Sequence, residues 1–226
     1  MSTNVYAFEI SKPFSESQKE LFLHQIPLDR QERVRSYVRE EDAIRSLCGS
    51  LLIKYILWKE LQITKFNLNY NKYGKPSIAE FPNFHYNLSH SHNWIVCATN
   101  NKEVGIDIEK IKEIDLGIAE RFFTSAEFDD IKKMPTLNDK LTRFYEFWTM
   151  KEAFIKNLGK GLSVPLNSFC IRQENNLYVT NDKSSKLYYF KQPLIDTGYK
   201  LAVCTQQEIL DINIKYIDIK DFNILL

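Results

Sequence analysis

The sequence predicts an α+β fold built from two similar α/β halves, residues 1–104 and 105–226. Three observations carry this reading. Two long segments, 41–61 and 141–158, place apolar residues at helical spacing. Shorter runs after each of them alternate apolar and polar residues, as half-buried strands do. Finally, the run IVCAT at 95–99 is echoed by LAVCT at 201–205, at nearly the separation of the two helix starts. Duplication of one unit explains that spacing, and coincidence between two small α+β units is the alternative. No low-complexity linker divides the halves, so they are expected to pack closely.

Taken in order, residues 5–10 read as a strand that ends at Lys12-Pro13. Residues 29–37 form a short charged helix. Residues 41–61 form a longer one, with Leu47, Leu51, Tyr55 and Trp58 near one face. Phe66, Leu68 and Tyr70 alternate as in a strand, and Tyr73-Gly74-Lys75-Pro76 makes a turn. Phe84, Tyr86 and Leu88 alternate again before a strand at 94–99. In the second half the helix at 141–158 precedes strands at 168–172, 187–190 and 201–205.

With 44 % hydrophobic and 13 % aromatic residues, the 226-residue chain can bury a substantial core, which argues against global disorder. Thirty Lys and Arg against twenty-nine Asp and Glu leave a net charge of +1, so no global field favours nucleic acid or an anionic membrane. The first ten residues lack a basic region followed by an apolar run, which argues against a signal peptide. Residues 47–58 are apolar but too short to span a bilayer, and Lys54 interrupts them. Cys48, Cys97, Cys170 and Cys204 contain no C-x-x-C pair, and the last three lie in apolar runs as buried small residues would. A cytoplasmic protein is expected.

The segment Val104-Gly105-Ile106-Asp107-Ile108-Glu109 is the most informative in the chain. In a strand, Val104, Ile106 and Ile108 share one face, and Gly105, Asp107 and Glu109 share the other. Two carboxylates at i and i+2 repel unless a cation or water separates them, and oxygen-only ligands suit a hard ion such as Mg²⁺. Gly105 would let a ligand approach the backbone closely. The plain alternative is an edge strand with a solvated acidic face.

Glu152 strengthens the metal reading. At about 100° per residue it falls about 20° from Leu141, inside the apolar stripe of Leu141, Phe144, Tyr145, Trp148 and Ile155. A carboxylate there must be paired, protonated or metal-bound. Lys156, at i+4, reaches the same place, so an ordinary Glu–Lys helix pair is the competing account. If this helix crosses the acidic strand, three carboxylates meet. Cations that could hold phosphate are Arg30, Arg33, Arg45, Lys75 and His90, the last within Ser89-His90-Ser91 after a strand.

Together these blocks resemble the phosphopantetheinyl transferases. The matching residues are Gly105 to Glu109, Arg121-Phe122-Phe123 with Glu127, Trp148 to Lys156, Tyr73 to Pro76, Asn87 to Ser91, and Gly159-Lys160-Gly161-Leu162. They run in order from about Arg30 to Cys204 and look like the long, two-half type typified by the surfactin-synthetase activator. The resemblance implies a pseudo-two-fold α+β fold with coenzyme A in a cleft between the halves, acting as a monomer on an apo acyl or peptidyl carrier protein. It implies Asp107, Glu109 and Glu152 as Mg²⁺ ligands, Glu152 and Lys156 as catalytic groups, and Ser89 with His90 on a phosphate of coenzyme A. Lys75 and Arg45 would bind the nucleotide end, with Arg30 and Arg33 assisting. His92 departs from the family pattern, which puts the local loop shape in question. Two other classes remain open: a Mg²⁺-dependent phosphate or nucleotidyl hydrolase, and a non-catalytic coenzyme A-binding or carrier-docking module.

Overall fold

A computed structural model describes residues 3–174, 177–181, 185–208 and 211–226. The chain opens with β1 (Asn4–Glu9) and three helices, α1 (Glu16–Leu23), α2 (Leu28–Arg35) and α3 (Glu40–Leu61). The short strands β2 (Leu68–Tyr70) and β3 (Pro76–Ile78) lead to β4 (His85–Ser91), β5 (Trp94–Asn100) and β6 (Val104–Lys110). Helices α4 (Gly117–Phe122), α5 (Ser125–Lys132) and α6 (Leu137–Leu158) follow. The chain then runs through β7 (Arg172–Glu174), β8 (Leu177–Asn181), β9 (Leu187–Lys191), β10 (Tyr199–Thr205) and β11 (Ile214–Ile217) to a closing 3₁₀ turn, Ile219–Leu225.

This is a mixed α+β architecture with two principal sheets. One has strand order β11-β1-β5-β4 and the other β6-β10-β9-β8-β7, while β2 and β3 form a small ribbon. Pairing is antiparallel except between β1 and β11. Alternation along the strands then builds three cores. Val5, Ala7, Val96 and Ala98 of the first sheet meet Val104, Ile106, Ile108, Leu201 and Val203 of the second, in a layer that excludes water. On the far side of the first sheet, Leu47, Leu51, Leu52 and Ile56 of α3 pack with Tyr6, Phe8, Ile95 and Cys97. On the far side of the second, Phe144, Phe147, Met150 and Phe154 of α6 pack with Phe190, Ala202 and Cys204.

Both long helices have 22 residues, and local chemistry fixes their ends. Glu40, Glu41 and Asp42 place negative charge on the first turn of α3, where the helix dipole favours it. Thr136 caps α6 by accepting from the Asp139 N–H, which starts that helix four residues before the position expected from its apolar stripe. Gly159 ends it in the left-handed region at φ 61°.

The segment at 168–172 is not the strand expected of it. It is a 3₁₀ turn at Leu166–Ser168 followed by irregular chain, with β7 beginning only at Arg172. Side chains occupy its backbone groups in place of a neighbouring strand. Lys151 donates to the carbonyls of Leu166 and Phe169, Thr180 donates to that of Cys170, and Glu127 accepts from the Ile171 N–H. His92 sits at φ 53° in the turn between β4 and β5. All four cysteines are free thiols. No described helix is long and apolar enough to cross a membrane.

Candidate active site at the seam between the sheets

Asp107 and Glu109 project from β6 toward α6, as the period-two pattern requires, while Val104, Ile106 and Ile108 enter the layer between the sheets. Gly105 makes that approach possible. A Cβ built there would lie 1.9 Å from the Ala153 carbonyl oxygen and 2.6 Å from the Asn157 nitrogen. What comes close to the Gly105 backbone is therefore helix α6, not a ligand as expected. A side chain at 105 would lift α6 off the strand and carry Glu152 and Lys156 away from the carboxylates.

The helix crossing brings the acids and the lysine together. Lys156 Nζ donates to Asp107 Oδ1 at 2.6 Å and to Ser89 Oγ at 2.9 Å. Ser89 also donates to Asp107 Oδ1 at 2.9 Å. Asp107 is 3 % exposed, yet its second oxygen, Oδ2, has no hydrogen-bond partner among the described residues. Burial raises the carboxyl of Glu152 above its usual range; the charges of Asp107 and Glu109 add to the rise and Lys156 opposes it. Burial likewise raises Glu109, with Asp107 adding to it, against the Ser91 hydrogen bond and the charges of Lys156 and Lys112. Three carboxylates that feel one another, and one ammonium, thus meet in a half-enclosed place.

They do not form a closed cage. Among the described residues, no three His, Cys, Asp or Glu side chains are grouped to hold a metal ion. The Lys156 ammonium is the cation that lies against Asp107.

The expected phosphate-binding residues fall into three places. His90 and Arg45 lie near each other, and His90 feels the Lys156 charge. Desolvation, then the charges of Lys156 and Arg45, push the His90 imidazole below its ordinary range. Arg45 is held by Asp42 at 2.6 Å and donates to the His92 carbonyl at 3.3 Å. Arg30 and Arg33 stand on α2. Arg30 donates to Ser50 at 3.3 Å and borders a hollow of about 80 Å³ lined by Tyr70, Pro76, Tyr86 and Leu88. Arg33 is exposed and donates to the Tyr37 hydroxyl at 3.4 Å. Lys75 is elsewhere, and its three donors are all used. It meets the Glu103 carboxylate, the Asn157 carbonyl at 3.0 Å and the Val104 carbonyl at 3.4 Å, tying the turn at 73–76 to the end of α6. A larger hollow of about 450 Å³, at the ends of β1 and β11, is lined by residues that include Lys12, Trp94 and Tyr216 and by none of the three carboxylates.

Sequence reasoning gave no role to two features that shape this site. The Lys151 ammonium is fully buried against Glu127 at 2.8 Å, which anchors α6 to the start of α5. Asn87 and Ser91 flank Ser89 on β4 and touch β6 directly. The signal for the second was in view, because N-x-S-x-S has the same period of two as the acidic strand it faces.

Comparison with known proteins places this geometry. Residues 103–204 match the model of the 4'-phosphopantetheinyl transferase superfamily, and residues 12–102 match that of the 4'-phosphopantetheinyl transferase N-terminal region. The chain is 38 % identical over 204 residues to the 4'-phosphopantetheinyl transferase Sfp of Bacillus subtilis, an alignment covering 88 % of this chain and 91 % of that protein. The chain belongs to the 4'-phosphopantetheinyl transferase superfamily. It is also 41 % identical over 182 residues to the 4'-phosphopantetheinyl transferase gsp of Aneurinibacillus migulanus, covering 78 % of this chain and 75 % of that one. A human relative, L-aminoadipate-semialdehyde dehydrogenase-phosphopantetheinyl transferase, is 28 % identical over 214 residues, covering 83 % and 69 %. The β4–β6–α6 seam, with Ser89, Asp107, Glu109, Glu152 and Lys156, lies within the matched regions.

Proposed function

We propose that this protein transfers the 4'-phosphopantetheine arm of coenzyme A to a serine of an apo acyl or peptidyl carrier protein, releasing adenosine 3',5'-bisphosphate. The observation that carries this is the meeting of Lys156, Ser89 and three carboxylates at one seam, with Asp107 Oδ2 buried and unpartnered. We read the two sheets, each backed by a 22-residue helix, as halves related by a pseudo-two-fold axis, with coenzyme A in the cleft between them. The division at 104/105 is one of sequence, since β11 returns to the first sheet. One chain then supplies a whole site and would work as a monomer in the cytoplasm, serving carriers of nonribosomal peptide synthesis.

Mg²⁺ fits the donor set. Asp107, Glu109 and Glu152 offer only oxygen, and a few carboxylates completed by substrate phosphates and water is the usual arrangement for this ion. An unpartnered buried carboxylate oxygen is what such an ion would satisfy. When bound, it would neutralise charge on the diphosphate.

The chain's own groups account for the remaining steps. The carrier serine oxygen forms a bond to the phosphorus bearing the pantetheine arm, and the bond from that phosphorus to the bridging diphosphate oxygen breaks. Glu152, directly or through a water, would take the serine proton; a carboxylate that also holds a metal ion is a weak base, and a water on the ion would share that role. Lys156 turns from Asp107 to the departing phosphate oxygen and offsets its charge. His90 with Ser89 would hold phosphate beside it and Arg45 the nucleotide end, with Arg30, which borders the small hollow, and Arg33 assisting. Lys75 would reach a phosphate only by leaving Glu103 and Asn157.

Intact-protein mass spectrometry of several apo carriers incubated with this protein, coenzyme A and Mg²⁺ tests the proposal. A gain of one phosphopantetheine arm that EDTA abolishes supports transfer and metal dependence together. Coenzyme A binding with no gain on any carrier would leave the binding-module reading, and cleavage of coenzyme A without a carrier would leave the hydrolase.

A further inference from the structure

The open edge of β6 is closed by side chains of β4. An exposed strand edge ordinarily requires partners for every second N–H. Here the N–H of Ile106 donates to Asn87 Oδ1 at 2.8 Å, that of Ile108 to Ser89 Oγ at 3.4 Å, and that of Lys110 to Ser91 Oγ at 3.1 Å. Three alternate residues of one strand thus meet three alternate amides of the other, joining the two sheets where no backbone ladder does. The two serines then do a second thing. Ser89 donates to Asp107 Oδ1 at 2.9 Å, and Ser91 donates to Glu109 Oε2 at 2.7 Å.

We propose that Ser91 is a positioning residue for Glu109, fixing through β6 the direction in which that carboxylate presents itself to the cation; this rests on the metal-dependent transfer proposed above. A hydroxyl has a single hydrogen to give. Because Ser91 Oγ accepts from the Lys110 N–H, its lone pairs are directed at the strand and its hydrogen is left for Glu109 Oε2. The serine is therefore oriented by the backbone that carries Glu109, and the carboxylate is held to the strand on which it stands. Ser89 does the same for Asp107 one step along but also meets Lys156, so its roles cannot be separated by substitution. Among the described residues, Ser91 makes no hydrogen bond to Lys156, which makes it the cleaner probe.

The informative pair is Ser91→Thr and Ser91→Val, which share shape and strand preference and differ by the hydroxyl. Mn²⁺, another hard ion suited to oxygen ligands, serves as the probe, with free ion counted by electron paramagnetic resonance in the presence of coenzyme A. The expected result is that Thr binds Mn²⁺ as the parent does and Val binds about 10-fold more weakly, the usual scale for losing a partner of a metal ligand. Thermal melting of both variants accompanies the titration, so that weak binding is read only in folded protein. Should Val not fold, Ser91→Ala takes its place. Val binding Mn²⁺ as tightly as Thr would overturn the positioning role while leaving the transfer reading intact. A parent that binds no Mn²⁺ would remove the metal site, and the role of Ser91 with it.

Discussion

Glu152 has a half-buried carboxylate within the influence of two others, and that placement sets function against stability. Its carboxyl is raised above the ordinary value of 4.5, so the folded state favours its protonated form. That contribution is complete below the ordinary value and disappears as pH rises through the raised one. At neutral pH the ionised group is therefore a cost to the metal-free fold. Glu152→Gln, which keeps the shape and removes the charge, is expected to melt higher at neutral pH. The gain should be under about 1 kcal/mol, or about 2–4 °C at most, because solvent reaches the group. It should vanish in acid. The same substitution, and Asp107→Ala, should lower carrier modification by about 10²- to 10³-fold, measured as initial rates by mass spectrometry. Normal turnover in either would remove these residues from the chemistry.

At the scale of elements, α6 is the piece everything depends on, and it is held at two points. Gly105 sets its distance from β6. Gly105→Ala should cost more than about 3 kcal/mol in urea unfolding, because the new methyl meets backbone that cannot rotate away. The second point is the buried pair of Lys151 and Glu127. Lys151→Met should cost about 3–5 kcal/mol by leaving a buried carboxylate without its counter-charge, and adding Glu127→Gln should restore part of it, a coupling that a double-mutant cycle reads directly. These anchors mark how far the sequence could be read. The alternation of residues 104–109 gave both faces of β6, and the apolar stripe of 141–155 gave the helix with Glu152 on it. That the two cross is a tertiary fact, so the bond between Lys156 and Asp107 was not legible. Gly105 signalled a close approach but not what approached. The expected strand at 168–172 failed because its backbone partners are the side chains of Lys151, Thr180 and Glu127, distant in sequence.

Over the whole molecule, the least legible feature is the path of the final segment. Nothing local in residues 214–226 says that β11 pairs in parallel with β1, or that Phe222 enters the first core. Phe222 is fully buried, 5.0 Å from Phe8 and 6.3 Å from both Phe22 and Tyr55 between ring centres. Phe222→Ala should cost about 3–5 kcal/mol, read by urea unfolding. Because Asp107, Glu109, Glu152 and Lys156 are not part of that core, variants that remain folded should keep their coenzyme A affinity. A loss of affinity larger than the loss of folded protein would mean that the first core also shapes the cleft.

That returning segment bears on the order in which the protein is made. Ile214–Ile217 and Phe222 leave the ribosome long after Asn4–Glu9, yet they complete the layer that β1 begins. The first sheet therefore stays unfinished until residue 217 has been made, although its helices and hairpins are already present. A contact between positions so far apart in sequence is also slow to find. Until the last strand docks, the edge of β1 stands open beside other nascent chains, a hazard that favours low synthesis temperature or a chaperone during production.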